Sequence, residues 1–311
     1  MAEKKKKQLL SLIGIFAVLL ICYIGITIYA DKKEEKESEE AKASTIYMTD
    51  ISDVEAITYQ GGTDTLSFKK NEDGEWYSTD DKEFPLNAET VENIVSVYSK
   101  LEAERELKGG DDISAYGLDE PTYYVTMTDS DGGETTVNIG NAAEDDYYAM
   151  VAGESTAYTI AADKITDLQT PLTDMAALDE FPHIASGNLV SEEIKTGGGK
   201  TKYESDNDDD SENIAAVAGG LGALSLDTPV DYHMADADAS KYGLDEASRT
   251  TVTAVYTKDD AKQTVILYLG SEDGSGNRYV QLDGSKIVYT VTTEICNNIL
   301  NVSDGTEDSA E

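Results

Sequence analysis

The pentapeptide Tyr116-Gly117-Leu118-Asp119-Glu120 returns 126 residues later as Tyr242-Gly243-Leu244-Asp245-Glu246, and the likeness extends in both directions. Downstream, TTVNIG ending at Gly140 parallels TVILYLG ending at Gly270, Tyr148 parallels Tyr279, and Ala157–Ile160 (AYTI) parallels Val288–Val291 (VYTV). Upstream, Glu92-Asn93-Ile94 with Val97, Leu101 and Ala103 parallels Glu212-Asn213-Ile214 with Val217, Leu221 and Ala223. Four blocks kept in order over more than a hundred residues are a duplication, so one architecture has to be built twice.

That architecture is legible in copy one. Val54–Tyr59 and Thr65–Phe68 alternate apolar and polar residues around Gly61-Gly62, which is a hairpin signal, and Trp76-Tyr77 follows a turn at Asp73-Gly74. Asn87 stands as an N-cap before Val91, Ile94, Val95, Tyr98 and Leu101, which recur at helical spacing. Four short alternating runs follow, separated by Gly and Asp clusters: Tyr123–Thr128, Thr135–Ile139, Tyr147–Val151 and Ala157–Ile160. One apolar stripe on a helix and one apolar face per strand are buried together when the helix packs on one side of an antiparallel sheet. The expected fold class is therefore α+β, with two tandem repeats, each an antiparallel β-sheet with one or two packed helices, over 46–177 and 178–304. A short terminal helix is expected over 292–300.

Ahead of the repeats, Leu9–Ala30 runs 22 residues without a charge, enough for a helix at about 1.5 Å per residue to cross a hydrocarbon layer of roughly 30 Å. Lys4–Lys7 precede it, and short basic flanks stay cytoplasmic. The expectation is a single-pass transmembrane helix at 9–30 in contact with membrane lipid, with a basic cytoplasmic flank at 1–8 and everything beyond it extracytoplasmic. A cleaved signal peptide fits less well, because Ile24, Ile26, Ile28 and Tyr29 keep the run apolar to its end. Cys22 follows Ile21 where a lipidation signal needs a small residue, so it reads as a membrane-buried side chain. Residues 31–45 form a charged stalk and 305–311 an acidic tail.

Residues 31–311 hold 20 Lys and Arg against 61 Asp and Glu, a net charge of −41. Such a surface repels phosphate backbones and anionic headgroups, so nucleic acid is excluded as a partner. Cys296 is the single cysteine beyond the span, which leaves no internal disulfide.

Tyr116–Pro121 (YGLDEP), followed by a strand, a Gly-ended strand (VNIG) and a Tyr-bearing strand leading to AYTI, resembles the domain of unknown function 4340 family. The resemblance covers both copies, and copy two departs from it with Ala247 where copy one has Pro121. It implies a bacterial cell-envelope protein of unassigned molecular activity that accompanies ABC-type transport and gliding-type auxiliary components, and hence an envelope or transporter protein partner. The residues themselves give the signature a structural reading: Gly117 and Gly243 for a positive-φ turn, Leu118 and Leu244 as core plugs, and Asp119 and Asp245 as acceptors for backbone N–H groups.

Chemistry-bearing residues are sparse. His183 and His233 lie in no recognisable motif, and Cys296 falls on the terminal helix beside Ile295 and Ile299, where a buried thiol is inert. Gly197–Thr201 (GGGKT) lacks the first glycine of a phosphate loop, that position being Ile194, and reads as a hairpin turn. Asp206, Asp208 and Asp210 alternate as in a calcium loop, but Ser211 and Val217 stand where such a loop needs Gly and Glu. No catalytic, cofactor or metal residues are assigned. The expectation is a non-enzymatic accessory or scaffold module, with a cell-wall polymer or calcium binding module as the alternative.

Overall fold

The computed structural model describes residues 45–107 and 112–302. The basic flank, the membrane span, the stalk up to residue 44 and the acidic tail lie outside the described residues. Among the described residues, no helix is long and apolar enough to cross a membrane.

The described chain is rich in antiparallel sheet, with a few helices. Its first part runs through β1 (Ile46–Tyr47), β2 (Val54–Gln60), β3 (Thr65–Lys70), β4 (Trp76–Ser78), α1 (Ala88–Ser99), β5 (Glu102–Ala103), β6 (Arg105–Glu106), β7 (Tyr123–Asp129), β8 (Glu134–Ala143), β9 (Asp146–Val151), β10 (Ala157–Ala161) and the single turn α2 (Asp163–Thr166). It continues with β11 (Leu189–Thr196), β12 (Gly199–Glu204), α3 (Ser211–Ala223), β13 (Pro229–Asp231), β14 (Thr250–Lys258), β15 (Ala261–Glu272), β16 (Asn277–Leu282), β17 (Val288–Thr292) and α4 (Thr293–Ile299).

Two large sheets result, ordered β4-β3-β2-β7-β8-β9-β10-β6 and β12-β11-β14-β15-β16-β17-β13, and β1 pairs with β5 apart from them. Removing β4 makes the two orders identical, strand for strand. Two of the irregularities coincide as well. β2 slips register between Val54 and Ala56 against β7, and β11 slips between Leu189 and Ser191 against β14. β8 slips between Ile139 and Ala142 against β9, and β15 slips between Leu269 and Glu272 against β16. A bulge re-aims a strand and tightens its twist, so equal bulges give equally coiled sheets.

By compactness the described residues separate into two units, one made of those up to Ser67 with those of Glu92–Thr170, the other of Phe68–Val91 with those from Pro171 onward. In the first unit, cross-strand neighbours Ile57–Met127 and Tyr59–Val125–Val137 put large apolar side chains on one face of the sheet, all essentially buried. The end of α1 is held by Thr49, whose hydroxyl donates to Tyr98 O (2.7 Å) and accepts from Leu101 N (2.8 Å), and Tyr98 Oη donates to Lys164 O. Asn87 Oδ1 accepts from Glu89 N at the start of that helix.

In the second unit, α3 and α4 contribute Ile214, Val217, Ala218, Leu221, Cys296 and Ile299 to one cluster with Ile194, Val252, Leu267, Leu269, Val280 and Tyr289 from the sheet. A Cβ on Gly220 would stand 2.5 Å from Ile299 N, so the glycine sets how closely the two helices approach. The segment ahead of α1 belongs here through backbone bonds, Asn87 N to Met175 O (2.8 Å) and Ala177 N to Pro85 O (2.6 Å). Gly197-Gly198 form the two-residue turn between β11 and β12.

Candidate functional site

The recurring YGLD segment ends a short 3₁₀ turn in each copy, Ile113–Tyr116 and Asp236–Tyr242, and the glycine that follows is left-handed both times, with φ 69° at Gly117 and 66° at Gly243. A residue with a Cβ resists that conformation, which is why glycine stands there. The turns close alike: Gly117 N donates to Ser114 O and Leu118 N to Ile113 O, as Gly243 N does to Ser240 O and Leu244 N to Ala239 O. Leu118 and Leu244 are then driven into small clusters with Met150 and Ala157 in one copy and with Met234 and Val288 in the other.

Two features that recur in both copies find their reason at this point. A Cβ at Gly140 would overlap the Tyr116 carbonyl oxygen, and one at Gly270 would overlap that of Tyr242. The glycine ending each strand lets the YGLD turn lie directly on the sheet. The Tyr-bearing strand supplies the other half of the lock, with ring centroids 4.5 Å apart for Tyr116–Tyr148 and 5.0 Å for Tyr242–Tyr279. Such pairs add about 0.5–1.5 kcal/mol beyond the area they bury. The change from Pro121 to Ala247 also acquires a meaning. Asp245 Oδ1 accepts from Ala247 N (3.2 Å), whereas proline has no N–H to offer and Asp119 Oδ1 accepts from Glu120 N (3.1 Å) instead.

Copy two adds polar chains around its lock. Lys241 Nζ donates to Tyr242 Oη (3.0 Å), Tyr242 Oη donates to Asp231 Oδ2 (2.9 Å), and Asp231 Oδ1 accepts from His233 N (3.1 Å). Burial, opposed by the Lys241 bond and helped by Asp231, holds the Tyr242 hydroxyl above its ordinary range, so it stays a donor. His233 Nε2 lies 2.7 Å from Asp81 Oδ2, and that bond raises the imidazole pKa. Sequence reasoning left His233 alone because its partner is 152 residues away.

The other sequence candidates are placed separately. His183 is exposed. Cys296 is fully buried, its Sγ 4.0 Å from Val291 O, and burial pushes the thiol up to about 11. Asp208–Asp210 forms a 3₁₀ turn leading into α3, and the Asp210 carboxylate is taken up by Glu204 N (3.0 Å) and Asn207 Nδ2 (2.9 Å). Among the described residues, no group of three or more His, Cys, Asp or Glu is arranged to hold a metal ion.

The copies also differ at the β8–β9 and β15–β16 turns. In copy two Asp273 spends its carboxylate on its own loop, accepting from Ser275 N (2.7 Å), Asn277 N (3.1 Å) and Asn277 Nδ2 (3.0 Å), and these bonds lower its pKa. In copy one the turn is Glu144-Asp145, with Glu144 at φ 60°, and it borders a cleft of about 490 Å³ lined also by Glu104, Arg105, Asp146, Tyr148 and Thr159. Thr159 is 1 % exposed and its Oγ1 has no hydrogen-bond partner. The composition of this cleft suits a cationic group far better than an anion.

No curated protein and no solved structure matches the chain. The family described as Domain of unknown function (DUF4340) matches it twice, over residues 76–219 and 209–304. The first match runs from β4 through α1, the Tyr116–Asp119 lock and β7–β10 into α3, and the second opens just ahead of α3 and closes just beyond α4, so each match takes in one YGLD lock and the four strands behind it. These segments together span most of the chain, and the protein therefore belongs to the DUF4340 family, of which it carries two tandem copies.

Proposed function

We propose that this protein is a single-pass, membrane-anchored extracytoplasmic accessory module of the bacterial envelope that acts by contact and not by catalysis. In this reading residues 9–30 span the membrane, Lys4–Lys7 hold the N-terminus in the cytoplasm, and the two repeats present binding surfaces to an envelope or transporter protein. The observation that carries it is the divergence just described: one scaffold, kept in strand order and in two of its bulges, holds a self-satisfied loop in copy two and an open acidic cleft in copy one. Scaffold retained while a rim loop changes is the pattern of a fold that displays different surfaces. The polar chains support the same reading, because Asp231, Asp245 and Asp273 are engaged in holding turns.

The test is cross-linking of the intact chain in cells followed by recovery in mild detergent. Recovery of one membrane partner by the unaltered protein, and its loss when Glu104, Glu144 and Asp145 are replaced together by Lys, is expected. Equal recovery by both would remove the cleft from the contact. A second chain with His183, His233 and Cys296 all replaced by Ala should keep its function in cells; loss of function by that chain while folded and abundant would end the contact-only reading.

A further inference from the structure

Glu192 lies in the middle of β11 with none of its side chain exposed, and neither carboxyl oxygen has a hydrogen-bond partner. It sits opposite Ala254 on β14, two positions from the Ile194–Val252 pair of the second unit's core. The first copy shows what the fold itself asks for at this place. There, after the same bulge, Ile57 stands opposite Met127, and both are buried. Copy two has exchanged a large apolar pair for an acid beside an alanine, which packing does not require.

The cover over this position is α3. Its Ile214, Val217, Ala218 and Leu221 share a cluster with Ile194, Val252, Ala254 and Tyr256, and it packs on β11 and β12. The titratable groups brought towards this side are Tyr203 of β12, directly across from Glu192, Tyr256 of β14 and Cys296 of α4, with Arg278 of β16 close enough to Cys296 to act on it. Tyr203 Oη accepts from Asn301 Nδ2 (3.1 Å), which also donates to Asn213 of α3 (2.8 Å). Glu193 alternates to the opposite side of β11 and pairs with Lys200; Lys202, Glu204 and Glu212 are exposed. Among the described residues no cation compensates a charge on Glu192, and burial pushes its pKa from 4.5 up to about 8.

We propose that Glu192 is the proton-controlled latch of the second unit: with its carboxyl protonated α3 closes over β11 and β12, and when the proton passes to solvent α3 lifts and the acid is hydrated. The sign follows from linkage. A closed state that binds a proton the open state has released becomes easier to open as pH rises, by about tenfold per pH unit between the pKa of the solvated acid and that of the buried one, and the effect levels off beyond them. The latch needs no assumption about where the protein resides; outside the membrane it would respond to external pH.

The experiment is hydrogen exchange with mass-spectrometric readout on the full chain from pH 5.5 to 7.5, corrected for the intrinsic pH dependence of exchange. Protection of α3 should fall about a hundredfold over that interval, while β7 and β8 of the first unit change little. Glu192→Gln should abolish the slope. If the amide packs too poorly for that chain to fold, Glu192→Ile, which restores the first copy's residue, should be slope-free and better protected. Each chain is also run with Asp81→Asn, which removes the pH dependence of the His233–Asp81 pair, and the slopes are those read in that background. A flat profile in the unaltered protein, or a slope that survives in either variant, overturns the proposal.

Discussion

A missing methyl group decides whether the Tyr116 carbonyl can lie on β8. Gly140→Ala and Gly270→Ala force the turn off the sheet and should each destabilise their unit by about 1–3 kcal/mol, read from urea denaturation followed by circular dichroism. Gly62→Ala, where nothing stands within 4 Å of the added carbon, is the control and should be nearly neutral. Leu118→Ala or Leu244→Ala should cost about 2–5 kcal/mol, as buried leucines do. The signature itself was plain in the sequence because it repeats, and so was the glycine that ends each strand. What the sequence hid was why they occur together, since a carbonyl reaching across from Tyr116 to Gly140 is a tertiary fact with no local pattern. Glu192 was hidden for a related reason: a Glu in an alternating strand reads as solvent-facing, and only the β2-like bulge at Leu189/Ser191 turns it inward.

Among the elements, those with several residues of periodic pattern were legible, including β2, β3 and β7 to β10 of copy one and α1 with Asn87 at its start. β1, β5, β6 and β13, two or three residues each, carry no periodicity that could be read and exist only because a partner strand is already in place. α3 is the instructive intermediate. Gly219, Gly220 and Gly222 argue against a helix by propensity, yet a Cβ on Gly220 would meet Ile299 N at 2.5 Å and one on Gly222 would meet Ile184 O at 2.7 Å, so close packing accounts for two of the three. Gly219 has open space around it. Gly219→Ala should therefore stabilise the second unit by about 0.5–1 kcal/mol, while Gly220→Ala destabilises it. Thermal melts of the two variants side by side would show shifts of opposite sign; shifts in the same direction would contradict the close approach of α3 and α4.

For the molecule as a whole, the order of the repeated blocks was readable, whereas the grouping of Phe68–Val91 with the chain from Pro171 onward was not. It depends on backbone bonds at Pro85 and Asn87 and on the Asp81–His233 pair, none of which leaves a trace in composition. That pair has a pH signature. Because Asp81 raises the His233 pKa above the usual 6.5, the protonated imidazole adds stability that is complete below about 6.5 and is lost as pH rises through the raised value. Asp81→Asn should lower the melting temperature at pH 5.5 and leave it nearly unchanged at pH 9; an equal drop at both would mean that the ion pair is not the cause. Orientation is checked by adding protease to intact cells, which should remove the region beyond Asp31, and full protection until lysis would refute an external placement.

Equal bulges and equal strand order carry a hazard during synthesis. Two tandem sheets that share a register offer each newly made strand a second acceptor, and neighbouring domains of like sequence are prone to exchanging elements. Here the strand that follows the bulge discriminates in one direction: docking β11 in the place of β2 would set Glu192 against Met127 and bury an acid in the first copy's core. A chain carrying Glu192→Ile with Ala254→Met loses that discrimination. It should refold with a larger fraction of mispaired species than the unaltered protein even as its native state gains stability, so that the buried acid would be serving the fidelity of assembly as well as its response to protons.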